Sequence, residues 1–284
     1  MLKLLACLFM LIDHSGVFLV DHSVHPLLYW AMRIVGRLAF PVFAYGIAVG
    51  FTRTRSPYRY FLRMALFAVA TELLIKGTAY LTHFQTSHAW DHIDLSSWTN
   101  VMVTFTFAIL MLGGIEIALR SYRDRIATLR LVGAAPGGSQ RFDVRFNPGG
   151  LSFPPLLGIP LGMGLVVLSF FAVGWLKSDY DYFGLLAVLV FYIPLRMHPV
   201  PSEGEDAFGS ERRVVQGIGF LLLNIGWIGL GLNYWIEIFS VLALPLLWIP
   251  WRDKRPTRAQ KYFFYVFYPV HFALLVFLNS LLKA

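Results

Sequence analysis

Nine stretches of this chain are long and apolar enough to be candidates for crossing a bilayer, and that pattern limits the fold more than any single residue. They run at about 2–20, 27–51, 60–80, 100–119, 151–175, 179–196, 214–232, 236–251 and 262–282. A spanning helix needs roughly 20 mostly apolar residues for a hydrocarbon core of about 30 Å. Lipid offers the backbone no hydrogen-bond partners, so apolar runs of this length become helices. The expected fold is all-α: a polytopic integral membrane helical bundle of about nine transmembrane helices, one domain over residues 1–284. Composition agrees, because 57% of the chain is hydrophobic and only 14% charged, too little charge to cover a water-facing surface. Aromatic residues at 16% suit a lipid-facing exterior with interfacial belts.

Local features refine the spans. The sixth run is too short to cross alone and is expected to borrow residues from the Lys177 to Asp181 side, which places Asp179 and Asp181 at the membrane boundary. The fifth opens with Pro154, Pro155 and Pro160, so a broken or kinked start is expected. Gly46 with Gly50, and Gly158 with Gly162, are small-residue pairs that let helices approach closely. Leu4-Leu5-Ala6-Cys7 lacks the preceding apolar stretch of a cleavage box, so the first run reads as an uncleaved span.

Orientation follows from the basic residues, which concentrate in cytoplasmic loops. With the N-terminus inside, 19 of the 24 Lys and Arg residues fall on the cytoplasmic side, Lys76, Lys177 and Lys283 fall outside, and Arg33 and Arg37 lie within the second span. This supports an N-in, C-out arrangement in a bacterial inner membrane. The net charge of +8 is thus a topology signal, and no nucleic-acid partner is expected. Cys7, the single cysteine, offers neither a disulfide nor a Cys-based metal site.

Ionisable side chains inside spans are costly, at least about 2.5–3.5 kcal/mol each on insertion scales, which makes them functional candidates. Here they are Asp13, His14, Arg33, Arg37, Glu72 and His271, joined at the rim by Asp179 and Asp181. Counted from the cytoplasmic ends at 1.5 Å per residue, all reach one level in the outer half. Arg33 and Arg37, four apart, share a helix face, and Asp13 and Glu72 are the expected counter-charges. One reading makes these four buried ion pairs that hold the first three spans together. The histidines fit glue less well. His14 lies about 100° around the helix from Asp13, so its partner must come from another span. Two histidines at similar depth beside carboxylates resemble a base and its helper. In the outer stretch, His88, Asp91 and His92 have a spacing that suits a metal only if that loop is helical; a solvated interfacial loop is the better reading, and no metal is expected. The Pro-Gly-Gly turns at 136–138 and 148–150 match no phosphate-loop spacing.

These positions coincide with a family pattern. Asp13-His14-Ser15-Gly16, Met32-Arg33-Ile34-Val35-Gly36-Arg37-Leu38-Ala39-Phe40-Pro41-Val42-Phe43, the stretch from Phe51 to Arg63 with its Tyr-x-x-Arg ending, and Thr71-Glu72 resemble the TraX family. So do Asn100 to Phe105, Asp181-Tyr182-Phe183-Gly184 and Tyr262 to His271, in the same order along nearly the whole chain. The resemblance implies a multi-span acetyltransferase of the kind that acetylates the amino terminus of pilin, using acetyl-CoA. The His-bearing outer loop and the Arg-rich loop at 121–150 depart from that pattern and bear on the acceptor more than on the reaction.

Together the residues and the resemblance give an expected mechanism. Acetyl-CoA phosphates would meet Arg53, Arg55, Arg59 and the 252–261 loop on the inner face, and a pilin-like acceptor amine would arrive from the outer side. His14 is the expected general base, with His271 as helper or alternative base. Arg33 or Arg37 would stabilise the oxyanion, Asp13 and Glu72 would hold the arginines, and Asp179 and Asp181 would attract a protonated amine. A covalent acetyl-His step is compatible with the same residues. Three other readings stay open: an O-acetyltransferase acting on a glycan or lipid, a proton-coupled transporter, and a non-catalytic assembly protein.

Overall fold

In the computed structural model, residues 2–81, 99–133, 155–199, 209–231, 235–249 and 258–283 are described. The outer stretch with His88, Asp91 and His92, both Pro-Gly-Gly turns, and Arg252, Lys254 and Arg255 lie outside the described residues. Every apolar run that is described is helical: α1 (Leu2–Leu19), α2 (Pro26–Gly36), α3 (Ala39–Arg53), α4 (Pro57–Leu81), α5 (Val101–Gly133), α6 (Pro155–Trp175), α7 (Asp181–Met197) and α8 (Gly209–Gly229). A 3-10 segment (Trp235–Ala243) then leads into α9 (Leu244–Trp248), and α10 (Arg258–Lys283) closes the chain. No strand occurs among the described residues beyond one isolated bridge between Thr99 and Ser178.

Five of these helical stretches are long and apolar enough to cross a membrane: α1, α2 with α3, α4, the first 26 residues of α5, and α6. The second run is jointed. Arg37 and Leu38 keep right-handed helical angles, φ −58° and −68°, and the Arg37 N–H reaches both Arg33 O (3.1 Å) and Ile34 O (3.2 Å). The joint is therefore a tightened turn, and Pro41 sits in the first turn of α3, where a missing N–H is tolerated.

Two expectations need correction. The sixth span does not borrow Asp179 and Tyr180: α7 starts at Asp181, because the chain reverses through left-handed residues just before it. The eighth run is not a regular α-helix over 236–251; its first nine residues wind as 3-10, and Pro245 at the start of α9 withholds the N–H that would tie the two pieces together. At a rise of about 2.0 Å per 3-10 residue, the whole segment still reaches about 25 Å. The fifth run is helical through Pro160 from Pro155 onward; residues 151–154 at its expected broken or kinked start lie outside the described residues.

Packing explains which glycines matter. A Cβ on Gly162 would lie 2.4 Å from the Gly114 carbonyl oxygen, so α5 and α6 meet backbone to backbone. Gly46 faces open space and Gly50 faces the Tyr60 hydroxyl, so that pair forms no helix seam. The core centres on α7, whose Leu185, Ala187, Val188 and Phe191 are fully buried, flanked by Phe51, Phe105 and Phe220. Leu62, Leu66, Val69 and Leu73 on α4, and Leu157, Leu161, Val167 and Phe171 on α6, are exposed. Apolar faces of this extent mark contact with lipid or another protein, and with the length of the helices they place the chain in a bilayer.

Candidate functional site

The site begins at the crossing of α1 and α2. Gly36 packs directly on Asp13: a Cβ there would come within 2.2 Å of the Asp13 Cβ. Gly16 meets Met32 in the same way, at 2.8 Å. This close approach lets one short carboxylate span two guanidiniums. Arg33 Nη1 donates to both Asp13 oxygens at 2.8 Å, and Arg37 Nη2 donates to Asp13 Oδ2 at 3.0 Å. The second counter-charge is Glu237 in the 3-10 segment, which accepts from Arg37 Nη1. Arg37 and Glu237 are buried, whereas the Arg33 side chain is 21% exposed. Arg33 spends only one terminal nitrogen on Asp13, so its other donors have no partner among the described residues.

The turn between α6 and α7 closes over Arg37. The Tyr180 ring stacks on Phe40 at 3.8 Å between centroids and lies 5.7 Å from the Arg37 guanidinium carbon, a cation–π geometry. Asp179 interacts electrostatically with Arg37, Glu237, Asp13 and Arg33. Its backbone is fixed by the Asp179 N–H to Thr99 O bond (3.0 Å) and by the Thr104 hydroxyl, which donates to the Asp179 carbonyl.

The histidines meet on the other face of α1. His14 Nδ1 and His271 Nε2 are 2.8 Å apart, with ring planes within 1° of parallel. His271 Nδ1 lies 2.7 Å from the Phe267 carbonyl oxygen. That oxygen only accepts, so Nδ1 of His271 carries the proton, its Nε2 accepts, and His14 Nδ1 donates. Neutral His14 then keeps a lone pair on Nε2. The partner in another span that the angular offset from Asp13 required is thus His271. Phe272 packs edge-on against His14, and Phe267 stacks on His271. His14 also feels the charges of Arg33 and Arg37, which links the two halves of the site.

Not every expected residue joins. Glu72 does not balance the arginines. Its Oε2 accepts from the Asn100 backbone N–H (3.1 Å) and side-chain amide (2.6 Å), and its Oε1 pairs with Lys76 at 2.9 Å. Asn100 in turn caps α5 by accepting from the Met102 N–H at 2.9 Å, so Glu72 serves a helix end. Asp181 opens α7 and makes no bond to the arginine pair; its buried Oδ1 has no partner among the described residues. Arg53, Arg55 and Arg59 are exposed together at the α3–α4 junction, about 21 Å along α3 from its start.

Sequence reasoning missed Glu237, Tyr180 and Glu116. Glu237 falls inside the eighth run, so counting intramembrane carboxylates would have found it. Glu116, inside the fourth run, accepts from Tyr192 and Arg196 at the far end of the bundle. Tyr180 left no signal in the sequence.

The comparisons with known proteins point to one family. The family model described as "TraX protein" matches residues 1–149, the segment that holds Asp13, His14, Arg33 and Arg37. A Dichelobacter nodosus protein described as "Probable fimbrial assembly protein FimC, serogroup H1" is 26% identical over 96% of this chain and 92% of its own length, so that similarity extends through Asp179, Glu237 and His271. No solved structure gives a significant match. The chain belongs to the TraX family.

Proposed function

We propose that this protein is an inner-membrane acetyltransferase that moves an acetyl group from cytoplasmic acetyl-CoA to an outward-facing acceptor, the terminal amine of a pilin-like protein. In this reading the chain crosses the membrane about nine times, N-terminus inside and C-terminus outside. The observation that carries the reading is the oriented pair His14–His271: it leaves a lone pair on His14 Nε2, one residue along α1 from the Asp13 that holds Arg33. The family assignment supports an acetyl-transfer role as the resemblance implies it, and the fimbrial relative's name points to pilus-related work.

The chemistry needs little from the protein beyond placement. A terminal amine has a pKa of about 7.7–8.0, so a histidine suffices as base. As the amine nitrogen attacks the thioester carbonyl carbon, the new C–N bond forms and the nitrogen's proton passes to His14 Nε2. Negative charge gathers on the carbonyl oxygen, where Arg33 donates. Collapse breaks the C–S bond, and the His14 proton goes to the leaving thiolate. His271, anchored on the Phe267 carbonyl, keeps the His14 tautomer in place. Asp13 fixes Arg33, and Glu237 replaces Glu72 as the second counter-charge. On the inner side Arg53, Arg55 and Arg59 suit the phosphates of the donor.

The test uses membranes holding wild-type, His14→Ala or His271→Ala protein and labelled acetyl-CoA. Losing a positioned general base typically costs about 10²–10⁴ in rate, and that loss is expected for His14→Ala, with a smaller one for His271→Ala. Wild-type rates in both folded variants would overturn the assignment.

A further inference from the structure

Nine residues in a row is long for a 3-10 helix, whose bonds are poorer than those of an α-helix and whose runs rarely pass three or four residues. Trp235–Ala243 holds that winding all the same. Its sequence, Trp-Ile-Glu-Ile-Phe-Ser-Val-Leu-Ala, contains neither glycine nor proline, so nothing within it forbids an α-helix. Pro245, at the start of α9, withholds the N–H that would carry the winding of one piece into the other. The choice of winding therefore rests on contacts made to the rest of the bundle.

Those contacts lie along one row. A 3-10 helix repeats every three residues, which stacks Glu237, Ser240 and Ala243 on one line, and all three are buried. Glu237 accepts from Arg37 Nη1, the Ser240 hydroxyl donates to Asn224 Oδ1 at 3.2 Å, and Ala243 packs with Ala6 and Val42. The first tie is shallow: Arg37 spends one nitrogen on Glu237, and Glu237 Oε2 has no hydrogen-bond partner among the described residues. At the outer end Trp235 lies against Trp30, with ring centroids 5.3 Å apart, and is 54% exposed.

Geometry specifies the alternative winding. An α-helix turns by about 100° per residue against about 120° for 3-10, and rises about 1.5 Å against about 2.0 Å. With Ala243 fixed, rewinding turns Glu237 by about 120° and Trp235 by about 160°, and it shortens the segment by about 4.5 Å. Glu237 leaves Arg37 for the row that now carries Trp235, Ile238 and Val241, and the apolar Ile236 comes within about 20° of the vacated line. The carboxylate is not stranded, because that row is partly exposed along its whole length.

We propose that Trp235–Ala243 is a two-state strap beside Arg37, latched in the 3-10 form by Glu237 on Arg37 and Ser240 on Asn224, and released by rewinding as an α-helix. In the latched state Glu237 occupies Arg37 Nη1 as an internal anion. Release leaves Arg37 with Asp13 alone and opens Nη1 to an anionic group arriving beside Arg33. Access to this second guanidinium is thereby set by the backbone of the strap, whatever group the protein transfers.

Electron spin–spin distances in the detergent-solubilised full chain test this without any substrate. In a Cys7→Ser background, nitroxide labels go on Trp235→Cys and on Ser23→Cys in the exposed α1–α2 loop, whose His22 ring lies 5.5 Å from that of Trp30. Glu237→Leu removes the first tie; Asn224→Ala removes the second and leaves the ion network intact. Rewinding carries position 235 across the segment and away from that loop. A second distance, longer by about 10 Å, is therefore expected in both variants, with the larger share in Glu237→Leu. One unchanged distance in both folded variants would overturn the strap, and so would a featureless broad spread, which marks local unravelling in place of a second winding. Should Glu237→Leu fail to fold, Asn224→Ala decides alone by the same criteria.

Discussion

At the residue scale, the division of labour between the two arginines is the sharpest consequence of the geometry. Arg37 is bound between Asp13 and Glu237 and covered by Tyr180, so it is held as framework. The Arg33 side chain is 21% exposed, and its remaining donors have no partner among the described residues. Arg33→Met is therefore expected to lower kcat by about 10²–10³, as for loss of one oxyanion donor, with the melting temperature changed far less; acetyl-transfer assays and thermal unfolding read the two separately. Asp13→Ala is the opposite case. It strands Arg33 and leaves Arg37 to Glu237 alone, and removing one partner of a buried ion network costs about 3–5 kcal/mol, which unfolding in detergent would register. Because His14 acts as a base only when neutral, transfer should fall as pH is lowered, and a rate–pH profile without that limb would speak against His14. Asp13, His14, Arg33, Arg37 and His271 were legible as a set, since intramembrane charge is rare enough to stand out. The choice of Glu237 over Glu72 was not: both are carboxylates at similar depth, and only the helix end that Glu72 serves at Asn100 separates them.

At the element scale, the site depends on how closely α1 and α2 cross. Gly36→Ala should force the helices apart at Asp13, lowering both activity and unfolding temperature, whereas Gly164→Ala, whose new methyl meets nothing within 4 Å, should leave both unchanged. Thermal unfolding and acetyl transfer on the two variants check the contrast. Helix existence was readable along the chain because long apolar runs have one outcome in lipid. The irregular elements were not. The left-handed turn before α7 depends on Thr99 and Thr104, which lie more than seventy residues away in sequence. The 3-10 winding of Trp235–Ala243 brings Glu237 to Arg37, a tertiary pairing that leaves no mark on hydropathy.

At the scale of the whole molecule, the acceptor and donor are assigned to opposite ends, so topology is part of the mechanism. The lone cysteine makes this testable. In a Cys7→Ser background, Ser23→Cys between α1 and α2 should react with a membrane-impermeant thiol reagent added to intact cells. Ser56→Cys at the α3–α4 junction should react only after the membrane is opened. The reverse pattern would place the arginine junction outside, away from cytoplasmic acetyl-CoA. The basic-residue count is what this proposed orientation rests on, because loop charge is a property of the sequence alone.

The most direct test of the account is the mass of an acceptor. An alanine-rich decapeptide with a free amino terminus, incubated with acetyl-CoA and membranes holding the wild-type or His14→Ala protein, is analysed by mass spectrometry with fragment ions that locate the acetyl group. The account predicts acetylation at the terminal nitrogen by wild type and its loss in His14→Ala. Acetyl groups appearing only in lipid or glycan, or terminal acetylation undiminished without His14, would contradict it.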